Sequence, residues 1–68
     1  MSFNKRYIHL EKVLEIYTED GIDEVIKYFM KPDAVFFDNN VCSILYDMIN
    51  NNEFELAEGL ILKHINNS

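Results

Sequence analysis

Three residues, Cys42, His9 and His64, carry the side chains that most often bind a transition metal or act as a nucleophile and its base. Structural zinc sites place Cys and His in close pairs, whereas these three stand far apart in the sequence. We therefore expect no metal site and no cofactor. We expect Cys42 to be a small buried apolar residue rather than a reactive thiol, since free cysteines are usually buried and inert.

The carboxylates are not evidence of acid–base catalysis. Such chemistry needs a pocket that shifts pKa values, and a chain of 68 residues forms few pockets. Gly21 and Gly59 are the only glycines and stand alone, so the sequence has no glycine-rich phosphate loop. We therefore expect that the protein is not an enzyme.

The charge is acidic and unevenly distributed. The chain has 12 Asp and Glu against 6 Lys and Arg, a net charge of −6, and residues 32–62 hold six acids and no base. This balance argues against direct contact with nucleic acid or an anionic membrane. The acidic surface would steer a basic partner, imitate a phosphate backbone, or keep the protein soluble. Its predicted members are Asp38, Asp47, Glu55 and Glu58.

The length permits one domain, over residues 1–68. A domain of about 60 residues buries only about 60% of the surface of its unfolded chain, so it is marginally stable alone. A single cysteine cannot form an internal disulfide, and we therefore expect association with itself or with another protein. No apolar run approaches the ~20 residues of a membrane span and no signal peptide is evident, which favours a cytoplasmic protein.

The elements that position these residues are predicted from the spacing of the apolar residues, which indicates four helices. The first covers about residues 4–18, with Phe3, Tyr7, Leu10, Leu14 and Tyr17 on one stripe. The second covers 22–31, with Asp20 as its N-cap and Pro32 at its end.

The connector over residues 32–40 includes an apolar segment, Ala34 to Phe37, that is suited to a short extended piece. A third helix begins near Val41 and ends at residues 50–52, and a fourth follows with Asn52 as its cap. Since short turns join antiparallel neighbours, this order predicts an all-α fold of two antiparallel helix pairs.

The two pairs also predict an internal repeat. A shift of 31 residues places Glu24-Val25-Ile26 on Glu55-Leu56-Ala57. The segment GIDEVIKYFM, residues 21–30, resembles the second helix of ankyrin repeats, G-x-x-E-V-V-K-Y-L-L, and residues 51–61 resemble the turn and second helix of the next repeat. The resemblance covers about residues 20–63 and implies a short stack of ankyrin-like helix pairs.

Ankyrin-like domains bind proteins through their projecting turns and first helices, so the resemblance implies a protein-binding surface. Phe36 and Phe37 add to this expectation, because two adjacent aromatic residues can hardly both face one small core and an exposed aromatic side chain is a favoured interface anchor. The predicted partner-binding residues are Val35, Phe36, Phe37, Asn39, Asn40, Tyr46, Asp47 and Asn50.

These patterns predict a small acidic module that binds another protein. Its frequent Asn, Ile, Tyr and Phe are typical of AT-rich genomes, which favours a viral, phage or mobile-element protein acting on a host factor as an inhibitor or adaptor. Two alternatives stay open: an obligate homo-oligomer with a structural role, and an acidic nucleic-acid mimic that blocks a DNA- or RNA-binding protein.

Overall fold

The computed structural model describes residues 5–30 and 33–67, and in these ranges the order strand–helix–helix occurs twice. The chain is mainly helical, as predicted, but it also has a small parallel sheet, so the prediction of a purely all-α fold is wrong. The elements are β1 (Lys5–Ile8), α1 (Leu10–Asp20), α2 (Ile22–Phe29), β2 (Ala34–Phe37), α3 (Asn40–Asn50) and α4 (Phe54–Asn66).

Strands β1 and β2 pair in parallel, with Lys5 opposite Ala34 and Ile8 opposite Phe37. The first predicted helix is therefore wrong over residues 5–8, while the predicted extended piece is confirmed as β2. The side chains of β1 alternate between the two sides of the strand, so that Ile8 is fully buried whereas Tyr7 is half-exposed. Phe3 of the predicted helical stripe lies outside the described residues.

Arg6 fastens β1 to α2. Its Nη1 donates a hydrogen bond to the main-chain carbonyl of Tyr28, and its guanidinium carbon lies 5.6 Å from the centroid of the Tyr28 ring. Arg6 therefore combines a hydrogen bond with a cation–π contact, and both attach strand β1 to helix α2.

A single residue, Gly21, joins α1 to α2. Its φ of +89° is strained for any residue with a Cβ, and its N–H donates to the carbonyl of Tyr17 at 3.0 Å. Gly21 also stands at the N-cap of α2, whereas Asp20 is the last residue of α1. The prediction that Asp20 caps α2 is therefore wrong, because the chain reverses one residue later.

Asparagines begin and end α3. The Asn39 side chain accepts hydrogen bonds from the N–H groups of Val41 and Cys42, at 3.0 and 3.3 Å, and so caps the helix. Asn52 takes a positive φ of 62°, and the N–H groups of Asn52 and Glu53 donate back into the last turn of α3. This pattern is a Schellman end, so Asn52 closes α3 and does not cap α4 as predicted.

The core lies between the four helices and the inner side of β1. Its buried members come from all of these elements, and Cys42 is among them, as predicted. No side chain of a polar or charged residue is buried in the described part of the chain. The buried residues are Ile8, Val13, Val25, Phe29, Cys42, Leu45, Ile49, Ala57 and Ile61.

Each helix pair makes its most extensive helix contacts within itself, α1 with α2 and α3 with α4. Fewer contacts join α1 to α4 and α2 to α3, so the sheet and the core link the two strand–helix–helix units. Over the described ranges, no helix has the length and apolarity needed to cross a bilayer.

Candidate functional site

Three rings, those of Phe36, Tyr7 and His9, form a continuous row that we call the aromatic face. The Phe36 and Tyr7 centroids lie 6.4 Å apart with planes inclined by 19°, a stacked arrangement. The Tyr7 and His9 centroids lie 4.7 Å apart. Phe36 is 51% and Tyr7 52% exposed, so two large aromatic side chains contact each other while half of each remains open to water.

The sheet places these rings together because its register sets Tyr7 directly opposite Phe36. The neighbours of Phe36 along β2, Val35 and Phe37, lie on the opposite side of the strand and pack against the core. Phe37 contacts the ring of Tyr46 at a centroid distance of 5.5 Å. Adjacent phenylalanines thus have different roles, since Phe37 supports the fold and Phe36 is presented outward.

Asp38 follows β2 and connects the two units. Its two carboxylate oxygens each lie 3.2 Å from the N–H of Leu10, the first residue of α1, and accept its hydrogen bond. Oδ1 also accepts from the Cys42 thiol at 3.3 Å, and Oδ2 lies 3.8 Å from His9 Nδ1. The carboxylate of the second unit therefore caps the first helix of the first unit, at the end of the aromatic face.

An open cleft of about 520 Å³ begins where the aromatic face ends, and we call it the acidic cleft. Three of its lining side chains are carboxylates and one is a lysine. Its lining residues are His9, Glu11, Lys12, Glu15, Tyr28 and Asp38.

The cleft has one cationic side chain of its own, Lys12, and that side chain already has a partner. Its Nζ donates to Glu15 Oε1 at 3.1 Å, and this bond raises the pKa of the Lys12 ammonium. The Tyr28 hydroxyl accepts a 3.4 Å hydrogen bond from the N–H of His9, so this hydroxyl lies beside the aromatic face. Since Glu15 neutralises Lys12, the carboxylates of Glu11 and Asp38 leave the cleft negatively charged.

The structure does not gather the predicted partner-binding residues into one surface. Val35, Phe37 and Tyr46 pack against the core, and Asn39 is used as the cap of α3. The exposed members are Phe36, Asn39, Asn40, Asp47 and Asn50, and of these Phe36 belongs to the aromatic face.

The predicted acidic surface also divides into two parts. Asp38 caps α1, and Glu58 accepts a 2.7 Å hydrogen bond from the Tyr17 hydroxyl, which joins α4 to α1 and raises the pKa of Tyr17. Asp47 and Glu55 are exposed. Two of the four carboxylates therefore have a structural role in holding the units together.

Cys42 is fully buried, and its burial, with a lesser contribution from the bond to Asp38, raises the pKa of the thiol to about 12. A thiol with so high a pKa is protonated at neutral pH and is a poor nucleophile. No group of three or more His, Cys, Asp and Glu side chains able to hold a metal occurs within residues 5–30 and 33–67.

Sequence reasoning missed Tyr7 and the position of His9 on the aromatic face. Tyr7 fits the helical spacing of Leu10 and Leu14, and residues 5–8 are two charged residues followed by two apolar ones, without the polar–apolar alternation of a half-buried strand. The sequence of β1 therefore carries no local signal for a strand.

Comparison of the chain with protein-family models, with curated proteins and with solved structures finds no match. Function is therefore inferred from the aromatic face and the acidic cleft themselves.

Proposed function

We propose that this chain is a small protein-binding module whose contact surface is the aromatic face. The observation that carries the proposal is the stacked pair of Tyr7 and Phe36, which lie opposite each other on paired strands and are each half-exposed. Exposed aromatic side chains held in fixed positions are favoured anchors at interfaces, since they bury a large area and lose little conformational entropy.

The proposal extends to the architecture. We propose that each unit contains an antiparallel helix pair and that the two units stack in the manner of ankyrin-like repeats. The single-residue link at Gly21 and the short link between α3 and α4 support this arrangement, because short links favour antiparallel neighbours. The offset of 29 residues between Lys5 and Ala34 in the sheet supports a repeated unit.

A binding role agrees better with the side chains than a catalytic one, because the buried Cys42 thiol has a raised pKa. The role of a viral or phage protein that acts on a host factor in the cytoplasm stays a prediction from composition.

A peptide-display selection tests the binding proposal. Random peptides selected on the wild-type chain are counter-selected on the double variant Tyr7→Ser and Phe36→Ser, and Leu62→Ser is the matched control because Leu62 is 41% exposed on α4. We expect enriched peptides that bind wild type and the control but not the double variant. Peptides that bind all three chains equally, with circular dichroism showing the double variant folded, would contradict the proposal.

Self-association is the second candidate function, and specific side chains favour it. Ile44, Leu56 and Leu62 are large apolar residues on α3 and α4 that are more than 40% exposed. Self-association would remove these apolar side chains from water. Sedimentation equilibrium decides, since a monomer at tens of micromolar would contradict an obligate oligomer.

A further inference from the structure

We infer that the aromatic face and the acidic cleft together bind an arginine side chain in a basic segment of the partner protein. The inference rests on the proposed function and adds to it the chemistry of the partner. Its basis is the continuity of the two surfaces, because His9 contacts the Tyr7 ring on one side and lies 3.8 Å from Asp38 on the other.

The rings provide the first half of the recognition. A guanidinium group is planar and weakly hydrated, so it stacks on an aromatic face better than a lysine ammonium does. Tyr7 is flanked by Phe36 at 6.4 Å and by His9 at 4.7 Å, which gives a row of rings longer than one guanidinium. The half-exposed surfaces of Tyr7 and Phe36 are open to such a group.

Charge complementarity provides the second half. The cleft contains the carboxylates of Glu11, Glu15 and Asp38, and Lys12 offsets only the charge of Glu15, with which it is hydrogen-bonded. A cation on the Tyr7 and His9 rings would lie beside the remaining negative charge. The net charge of −6 also attracts a basic segment and repels a second copy of this acidic chain.

The direct test is a titration of the ¹⁵N-labelled 68-residue chain, followed by NMR, with an acetylated Gly-Ser-Arg-Gly-Arg-Ser-Gly peptide. Its matched control has citrulline, a neutral isostere, in place of both arginines. We expect the arginine peptide to shift the amide signals of Tyr7, His9, Phe36 and Asp38, and the citrulline peptide to bind about tenfold more weakly, because it loses both the cation–π and the ionic contact.

Two variants separate the ring contribution from the charge contribution. Tyr7→Ala removes the central ring and should weaken binding about three- to tenfold. Glu11→Gln removes one cleft charge and should weaken it about two- to fivefold, whereas Glu55→Gln removes the same charge from α4 and should leave the affinity unchanged. A folded spectrum for each variant makes its affinity interpretable.

Several results would overturn the inference. Equal affinities for the arginine and citrulline peptides would show that charge has no role, and equal effects of Glu11→Gln and Glu55→Gln would show only long-range attraction. Shifts centred on α4, or no shifts, would place the peptide elsewhere or nowhere. Signals of the aromatic face that change with protein concentration alone would assign the face to a second copy. Face-dependent peptides without arginine in the display selection would contradict this inference and leave the proposed function intact.

Discussion

Replacing Asp38 with alanine tests the link between the two units. The Asp38 side chain lies in the second unit, yet its carboxylate accepts the hydrogen bond of the Leu10 N–H at the start of α1. The side chain at the N-cap position of α1, His9, makes no capping bond. Loss of the Asp38 carboxylate therefore leaves the Leu10 N–H to bond with water.

The structure sets the size of the effect. Loss of a capping acceptor costs about 0.5–2 kcal/mol, and the interaction of the charge with the helix dipole, about 0.3–1 kcal/mol, is part of that loss. We expect Asp38→Ala to lower the free energy of unfolding by about 1–2 kcal/mol. For a chain of 68 residues the total free energy of unfolding is roughly 3–10 kcal/mol, so this loss is a substantial part of it. A loss of about 1–2 kcal/mol raises the unfolded population about five- to thirtyfold.

Urea unfolding followed by circular dichroism measures this loss. The m-value, the slope of the unfolding free energy against urea concentration, should be the same in wild type and variant, which shows that only the stability has changed. Asp38→Asn keeps an acceptor but loses the charge, and it should be destabilised by about 0.3–1 kcal/mol. Asp47→Asn makes the same change of net charge on an exposed surface and should stay within about 0.5 kcal/mol of wild type.

Amide hydrogen exchange locates the effect. In Asp38→Ala the Leu10 amide should exchange faster relative to Val41 and Cys42, whose N–H groups are bonded to Asn39. An Asp38→Ala chain as stable as wild type, or one whose Leu10 amide keeps its exchange rate, would refute the reasoning. A loss equal to that of Asp47→Asn would mean that net charge, and not the cap, sets the stability.

Three further perturbations test the packing. Tyr17→Phe and Glu58→Ala should each cost about 0.5–1.5 kcal/mol, and less than additively together, since both remove the same hydrogen bond. A double-mutant cycle by urea unfolding checks this, and full additivity contradicts it. The Cys42 thiol ionises above pH 9 in the unfolded chain but only near pH 12 in the folded chain, so stability should fall as the pH rises above 9, by at most about 1.4 kcal/mol per pH unit. Thermal melts should show this slope in wild type and a smaller one in Cys42→Ala. Equal slopes in the two chains would contradict the prediction. Phe29→Ala should cost about 3–5 kcal/mol and unfold much of the chain, as measured by circular dichroism, and a native spectrum with unchanged melting would refute the assigned core.

Local signals in the sequence predicted most of the helical structure. The stripe through Val25 and Phe29 gives α2, and the asparagine-rich ends bound α3, because caps and apolar spacing act within a few residues. The buried position of Cys42 follows from its usual preference for the interior.

The sheet and the aromatic face could not be predicted in the same way. Strand β1 has four residues and pairs with a segment 29 positions away, so its conformation is set by tertiary contacts and not by its own sequence. Tyr7 fits a helical stripe equally well, and only the register of the sheet places it opposite Phe36. For the same reason the cap that Asp38 provides to α1, 28 residues away, has no local signature.

The pairing of β1 with β2 also bears on aggregation. Ala34–Phe37 is an uncharged strand with two phenylalanines and a valine, the composition of segments that assemble into intermolecular sheets when their edges are free. Strand β1 pairs with this segment and so covers one of its two edges, which is one way that natural sheets discourage unwanted pairing. A proteolytic cut just after Ile8 would let β1 leave that edge and make Ala34–Phe37 a nucleus for insoluble assembly.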